Sequence, residues 1–476
     1  MLDFAYLVLR WVLTALPFVV AVLLPLLLAL FVAGLYSNPV VGAVSILLLF
    51  LLETVLIHLI ALNLGITVFP QDLLFVPMAL AALMRLFRPG SVRRVPKPLW
   101  ILAGVMTLSF IVGLAQHGTT SGVEFRSDFY FMVGLFYFSS FEWTSQQVSR
   151  VLNWLLPVAL LIMLIVWYRW LADAANLDWV DPVWRNIEAG DSLRVLDAQQ
   201  TLFLGTALIL VIYAMATGSS LAGWLFLVPT LALTVLVLQH RSVWVASFLP
   251  AMMAFVIVRK SQGKLIGRLA AIAAISAIVL LPLLATGKFS SATSSIADSA
   301  ERATSTTSGT FVGRIEGWDA LLKKWVASGP RTWAMGNSYG SGYERKQQGG
   351  RDVTFAPHNY FVQLLLRTGL IGLLAFLALH WYLLKGAIRL GGAPHAALSG
   401  YAMIGLLVSA LLYYIPYSPP YIHGLITGMI LGLLLQHDTA LSKGEYAQAV
   451  SLKKNTGRVS SSGALASPLG NQLHRR

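Results

Sequence analysis

Apolar runs long enough to cross a bilayer recur along most of this chain, and that repetition constrains its fold more than any other feature. A hydrocarbon core about 30 Å thick needs about 20 apolar residues in a helix. No water is available there, so each backbone N–H and C=O must be satisfied within the spanning element, which selects helices for runs of this length. Spans are read near 11–35, 40–64, 72–87, 98–115, 127–141, 151–172, 199–217, 222–238, 242–258, 268–285, 359–384, 397–416 and 421–436. The first two are the least sharply defined, so the count is twelve or thirteen. Only 11% of residues are charged and 57% are hydrophobic, against about 25% charged in soluble domains. The predicted fold is an all-α, polytopic transmembrane bundle. The first run is long enough to span and shows no small-residue cleavage site, so it is expected to stay in the protein.

Charge sets the predicted orientation. The stretches "RLFRPGSVRRVPK" (85–97), "RKSQGKLIGR" (259–268), "KGAIRLGG" (385–392) and the tail after 437 are basic and belong on the cytoplasmic side. Alternation then puts 116–126, 173–198, 239–241, 286–357 and 417–421 on the other side, while the side of the N-terminus stays open. The organisation expected is ten or so spans over 1–285, a periplasmic loop over 286–357, further spans over 358–436 and a disordered cytoplasmic tail over 437–476. Within the loop, "RIEGWDALLKKWVASGP" places Ile315, Trp318, Leu321, Leu322 and Trp325 at helical spacing. This predicts an amphipathic helix along the membrane boundary, stopped by Gly329 and Pro330.

The net charge of +14 follows from these basic loops and the tail rather than from a nucleic-acid face. There is no cysteine, which removes disulfides, thiolate metal sites and Cys nucleophiles. Neither a zinc-type His cluster nor a paired-Asp loop is present, and Glu316 and Asp319 fit the solvated face of the amphipathic helix. No metal site and no cofactor are therefore expected. Glu53 and His58 are ionisable residues inside a predicted span, away from the outer face, and are read as structural or gating. Gly369 and Gly372 read as small residues packing between helices, and Tyr417 and Tyr421 as an interfacial aromatic belt.

The outer loop 286–357 holds nine Lys/Arg against six Asp/Glu, although no topology rule requires it to be basic. Arg194, Arg241, Arg314 and His358 all fall at this one face while lying far apart in sequence. Each alone is explained as a span-end anchor or a cap. Together they suit a lipid-linked diphosphate, because guanidinium forks match phosphate oxygens and stabilise the charge of a leaving phosphate. A His at a helix start among cations is expected to stay neutral and able to accept a proton.

The stretch "PHNYFVQLLLRTGLIG" resembles the His-Asn, nine residues, Gly-x-x-Gly signature of the bacterial O-antigen ligase superfamily, through His358, Asn359, Gly369 and Gly372. "GRIEGW" (313–318) is similar to that family's Gly-Arg…Trp element, and "QHRSVW" to its short turn with an Arg. The resemblance covers roughly 195–435. It implies an inner-membrane, metal-independent, inverting glycosyltransferase with a periplasmic active face. Such an enzyme moves a glycan from an undecaprenyl-diphosphate carrier to a lipid A-core or growing polysaccharide acceptor. It implies that Arg241 and Arg314 grip the diphosphate and that His358 activates or positions the acceptor hydroxyl. His240, Asn359 and Arg194 are candidates for substrate binding, Arg194 on topology alone. Ligase and O-antigen or exopolysaccharide polymerase remain nearly level, and a lipid-glycan transporter is a more distant alternative.

Overall fold

The computed structural model describes residues 25–56, 62–63, 67–88, 95–174, 195–217, 227–257, 310–346, 352–391 and 398–442. Arg194, His58, the expected span 268–285 and the tail beyond 442 lie outside the described residues. The helices are α1 (Pro25–Ser37), α2 (Pro39–Val55), α3 (Pro70–Leu86), α4 (Lys97–His117), α5 (Thr119–Ser139), α6 (Ser145–Ala174) and α7 (Ala198–Thr217). They continue as α8 (Leu227–Val237), α9 (Arg241–Ile257), α10 (Thr310–Ala327), α11 (Pro330–Met335), α12 (Tyr360–Leu390), α13 (Gly400–Tyr413) and α14 (Tyr421–Ser442). Two antiparallel two-residue ladders complete the described structure: β1 (Leu62–Asn63) with β2 (Thr67–Val68), and β3 (Arg345–Lys346) with β4 (Asp352–Val353). The chain is a polytopic helical membrane protein. Four described helices, α4, α6, α7 and α12, are long and apolar enough to span alone.

Local sequence explains where helices start. Asn38 caps α2 by accepting from Val40 N, with Pro39 at the first helical position. Asp72 accepts from Phe69 N at 2.8 Å to open α3, and Ser399 caps α13. The amphipathic helix expected after Arg314 is present as α10, and it begins earlier, at Thr310.

Two departures from the sequence expectation have physical causes. The expected span 40–64 stops at Val55, because the Arg169 guanidinium takes the terminal carbonyls of Thr54 (2.6 Å) and Val55 (3.4 Å). With α1 it forms a pair bent by 115°. The segment 116–126, expected as a loop, is almost entirely helical: α4 ends at His117 and α5 begins at Thr119, with Gly118 alone between them at φ +59°. Glu124, Arg126 and Asp128 thus ride inside α5, where their charge hid the helix from a hydropathy reading.

The core seam joins α5 to α14. A Cβ on Gly134 would lie 3.0 Å from Gly424 Cα, and one on Gly428 would lie 2.9 Å from the Gly134 carbonyl oxygen. Small residues let two backbones approach this closely, which is how helices associate where lipid offers no hydrophobic drive.

The described parts of all five segments assigned to one side by charge alternation meet at one end of the bundle. Ser338 Oγ donates to Gln116 (2.9 Å), His240 Nε2 lies 2.8 Å from Leu196 O, and the Arg314 guanidinium lies 5.6 Å from the Tyr417 ring centroid. Arg169 also reaches Val195 O at 3.1 Å, tying α6 to the start of α7. At the opposite end, Arg85 donates to Tyr36 O (2.7 Å) and Ser140 O (3.0 Å), and Arg389 pairs with Asp438 at 3.6 Å.

Candidate functional site

His358 stands at the entrance to α12. It has φ +46°, a left-handed backbone uncommon for residues other than glycine, although Asn, Asp and His adopt it more often than the rest. Among the described residues the only other non-glycine with positive φ is Gln239, at +56°, in the turn before Arg241. Such backbone persists only where the surroundings over-determine it, and it clusters at functional sites. Here the surroundings are visible. Trp318 Nε1 of α10 donates to Pro357 O at 2.5 Å, and Asn359 Oδ1 accepts from Val362 N at 3.1 Å to cap α12. The residues on either side of His358 are thus each tied down.

Arg314 projects from α10 with its guanidinium 5.6 Å from the Tyr417 ring centroid. The charges of Arg314 and Arg345 both reach His358. The Phe355 ring lies 5.4 Å from the His358 ring and 5.1 Å from the Arg345 guanidinium. His358 keeps exposed surface, yet the packing around its ring still disfavours the imidazolium. That desolvation first, then the charges of Arg314 and Arg345, hold its pKa below the ordinary imidazole value.

Arg241 opens α9 and is half-buried. Its neighbour His240 is buried, and a chain of contacts leads from it to the Arg314 region. His240 meets Leu196, adjacent Asp197 interacts electrostatically with Tyr413, and Tyr413 stacks on Tyr417 at 4.9 Å. Tyr417 in turn carries Arg314. The structure therefore brings Arg314 and His358 together and places Arg241 and His240 at the same end of the bundle. Asn359 uses its side-chain oxygen as a helix cap.

Glu53 occupies a different place from the one the sequence suggested. Because α2 stops at Val55, Glu53 lies near the loop end, where it accepts from Tyr421 Oη at 2.6 Å and from the Gln71 amide. Tyr421, expected in an interfacial aromatic belt, is buried and is the partner of a carboxylate.

Gly369 also differs from the expectation of simple helix packing. At φ +63° and ψ −165° it breaks α12, and a Cβ there would lie 2.2 Å from Ala334 O of α11. Gly369 is what lets α11 cross the α12 backbone, and Asn337 N donates to Leu366 O (2.7 Å) beside that crossing.

Residues missed by the sequence reading fasten the 336–343 segment. Arg367, 1% exposed, pairs with Glu124 and donates to Ser341 Oγ (2.6 Å) and Gly342 O (2.9 Å). Tyr339 Oη donates to Asp128 Oδ2 at 2.8 Å, and Gly340 N to Glu124 Oε2 at 2.6 Å. Burial first, then the Asp128 carboxyl, raises the Tyr339 pKa well above its ordinary value. The available signal was three charges inside one apolar stretch, Glu124, Arg126 and Asp128, a pattern tolerated in a membrane only when partnered. Among the described residues, no three His, Asp or Glu side chains gather as a metal site would require.

Chemically, a cluster of guanidiniums around a neutral imidazole can hold a polyanion and accept one proton beside it. No curated protein matches the chain. Residues 206–377, from within α7 to the middle of α12 and including Arg241, Arg314, Arg345 and His358, match the O-antigen ligase family model.

Proposed function

We propose that this chain is an inner-membrane glycosyltransferase of the O-antigen ligase type. It moves a glycan from an undecaprenyl-diphosphate carrier to a lipid A-core acceptor at the periplasmic face. The observation that carries this reading is the meeting of Arg314 and His358, from separate elements, at the loop end of the bundle. Polymerisation of O-antigen or exopolysaccharide repeats would use the same chemistry with a different acceptor.

In this reading the acceptor hydroxyl oxygen attacks the anomeric carbon as its bond to the carrier phosphate breaks. The electron pair of that bond leaves with undecaprenyl diphosphate, and the hydroxyl proton passes to His358. One displacement inverts the anomeric centre. Arg241 and Arg314 counter the charge that grows on the leaving diphosphate. His358 is held neutral by its surroundings, so it can accept the proton without first losing one. His240 spends Nε2 on Leu196 and Asn359 its oxygen on the α12 cap, so both set the positions of the neighbours that act. Arg194 completes the proposed set on topology. No metal ion takes part.

The test is transfer activity normalised to membrane-inserted protein. Arg241→Ala and Arg314→Ala should each lose about a hundred- to thousandfold in rate, the loss expected for one preorganised donor at a developing anion. Lys should rescue poorly, because a point charge does not reproduce the fork. His358→Ala should lower the rate at saturating donor more than it raises the donor KM. Normal specific activity in His358→Ala would remove its role. Movement of lipid across the bilayer without release of undecaprenyl diphosphate would replace the enzyme by a transporter.

A further inference from the structure

The loop between α10 and α12 contributes two arginine-centred arrangements that differ in one respect. Arg367 donates to a loop hydroxyl and a loop carbonyl, and its charge is met by Glu124. Arg345 is also half-buried, but among the described residues no carboxylate stands within ion-pair distance of it. Burial lowers its pKa, the mark of a cation losing hydration without a compensating charge.

Its geometry is nonetheless fixed. Nη1 donates to Tyr343 O at 3.1 Å and to Phe355 O at 2.8 Å, and the guanidinium lies 5.1 Å from the Phe355 ring centroid. Nε is buried and has no hydrogen-bond partner among the described residues. The β3–β4 pairing of Arg345 with Val353 holds its backbone from the other side. The Phe355 ring is 55% exposed and is shared with His358. A guanidinium clamped by two carbonyls, short of counter-charge and set beside a proton acceptor, is preorganised for an anion. Little side-chain entropy remains to be lost when one binds.

We infer that Arg345 is a ligand of the carrier's diphosphate, acting beside Arg314 on the His358 side of the site. This rests on the glycosyltransferase reading above and adds a phosphate contact to it. The same chemistry could be met by the phosphate of an anionic lipid headgroup, and the experiment separates the two sources.

The full chain is reconstituted in nanodiscs of zwitterionic lipid, and in a parallel set containing anionic phospholipid. Binding of undecaprenyl diphosphate and steady-state transfer are measured for wild type, Arg345→Gln, Arg345→Lys and Arg314→Ala. Arg345→Gln should weaken undecaprenyl-diphosphate binding by roughly tenfold to a hundredfold, the range for a hydrogen bond to a charged group. The loss should be equal in both lipids and appear mainly in the donor KM. Arg345→Lys should recover part of the binding at low salt and lose it as salt rises, since only the charge is restored. A purely structural role would instead lower the thermal midpoint and kcat and leave donor KM unchanged, which would overturn the inference. An effect confined to anionic nanodiscs would overturn it in favour of a headgroup. Wild-type binding in Arg345→Gln with weakened binding in Arg314→Ala would remove Arg345 alone. Wild type that binds no undecaprenyl diphosphate in either lipid would remove this inference and the underlying reading together.

Discussion

Replacing Gly369 by Ala tests how α11 and α12 are joined. Two costs add. The first is backbone: φ +63° with ψ −165° belongs to glycine, and another residue there carries about 1–3 kcal/mol of strain. The second is steric. The new Cβ would lie 2.2 Å from Ala334 O, 2.3 Å from Ala334 C and 2.5 Å from Met335 N, all backbone atoms that no rotamer change can move. Displacing α11 to make room should cost about a further 1–3 kcal/mol, as overpacking does elsewhere. The sum, about 2–6 kcal/mol, is a large share of the stability of an ordinary domain. It should appear as a lower unfolding midpoint in nanodiscs and as reduced transfer per inserted protein, because α11 leads into the loop that carries Arg345. Gly104→Ala is the control. It lies in α4, where an added methyl would meet nothing within 4 Å, and should be neutral or gain about 0.5–1 kcal/mol. If Gly369 were only a small residue between helices, adding Ala334→Gly would restore the midpoint. Because the clash is with backbone and the torsion is wrong, the double variant should stay impaired. Its rescue, or a wild-type midpoint in Gly369→Ala, would refute the reasoning.

The pH dependence follows from His358. Its pKa is lowered, so the acid limb of the rate at saturating donor should fall below the ordinary imidazole pKa of about 6.5, with activity rising as the ring loses its proton. Arg345→Gln removes one of the charges responsible and should move that limb to higher pH; a limb that stays put would deny the coupling. Transfer by purified protein should survive EDTA, and loss restored by magnesium or manganese would show a metal requirement. A reporter fused after residue 330 should be periplasmic and one after residue 262 cytoplasmic. Finding both on one side would break the shared face on which the site depends.

How much of the fold and site is legible in the sequence depends on which physical signal each residue leaves. Apolar runs and basic loops leave strong ones, so the helical class and the gathering of Arg314 and His358 at one end can be read directly. The start of α5 cannot. Glu124 and Arg126 look like loop residues until their partners are known, and the partners of Glu124 and Asp128, Arg367 and Tyr339, lie more than 200 residues away. Arg345 counts only as part of a basic loop, since nothing in its neighbours tells that Phe355 brings it beside His358. The end of α2 is hidden for a similar reason, because Arg169 closes it from another helix. Gly369 stands out in the sequence but suggests packing. The torsion of one residue leaves no trace in hydropathy, whereas a glycine pair three apart points to helix contact.

The left-handed torsion at His358 acts as a filter on what evolution can place at the entrance to α12. Glycine accepts φ near +46° at the lowest cost, with Asn, Asp and His the side chains that tolerate it best, and of these only His offers an imidazole. A β-branched residue would meet the highest barrier. A change to glycine here would relieve the backbone and remove the ring, so on the proposed role of His358 such a chain would stay folded and lose the proton acceptor. The Trp318 bond to Pro357 and the Asn359 cap keep the entrance in shape whichever residue stands between them. On that proposal the scaffold and the chemistry are separable, and a chain carrying glycine at this position would be expected to bind without transferring.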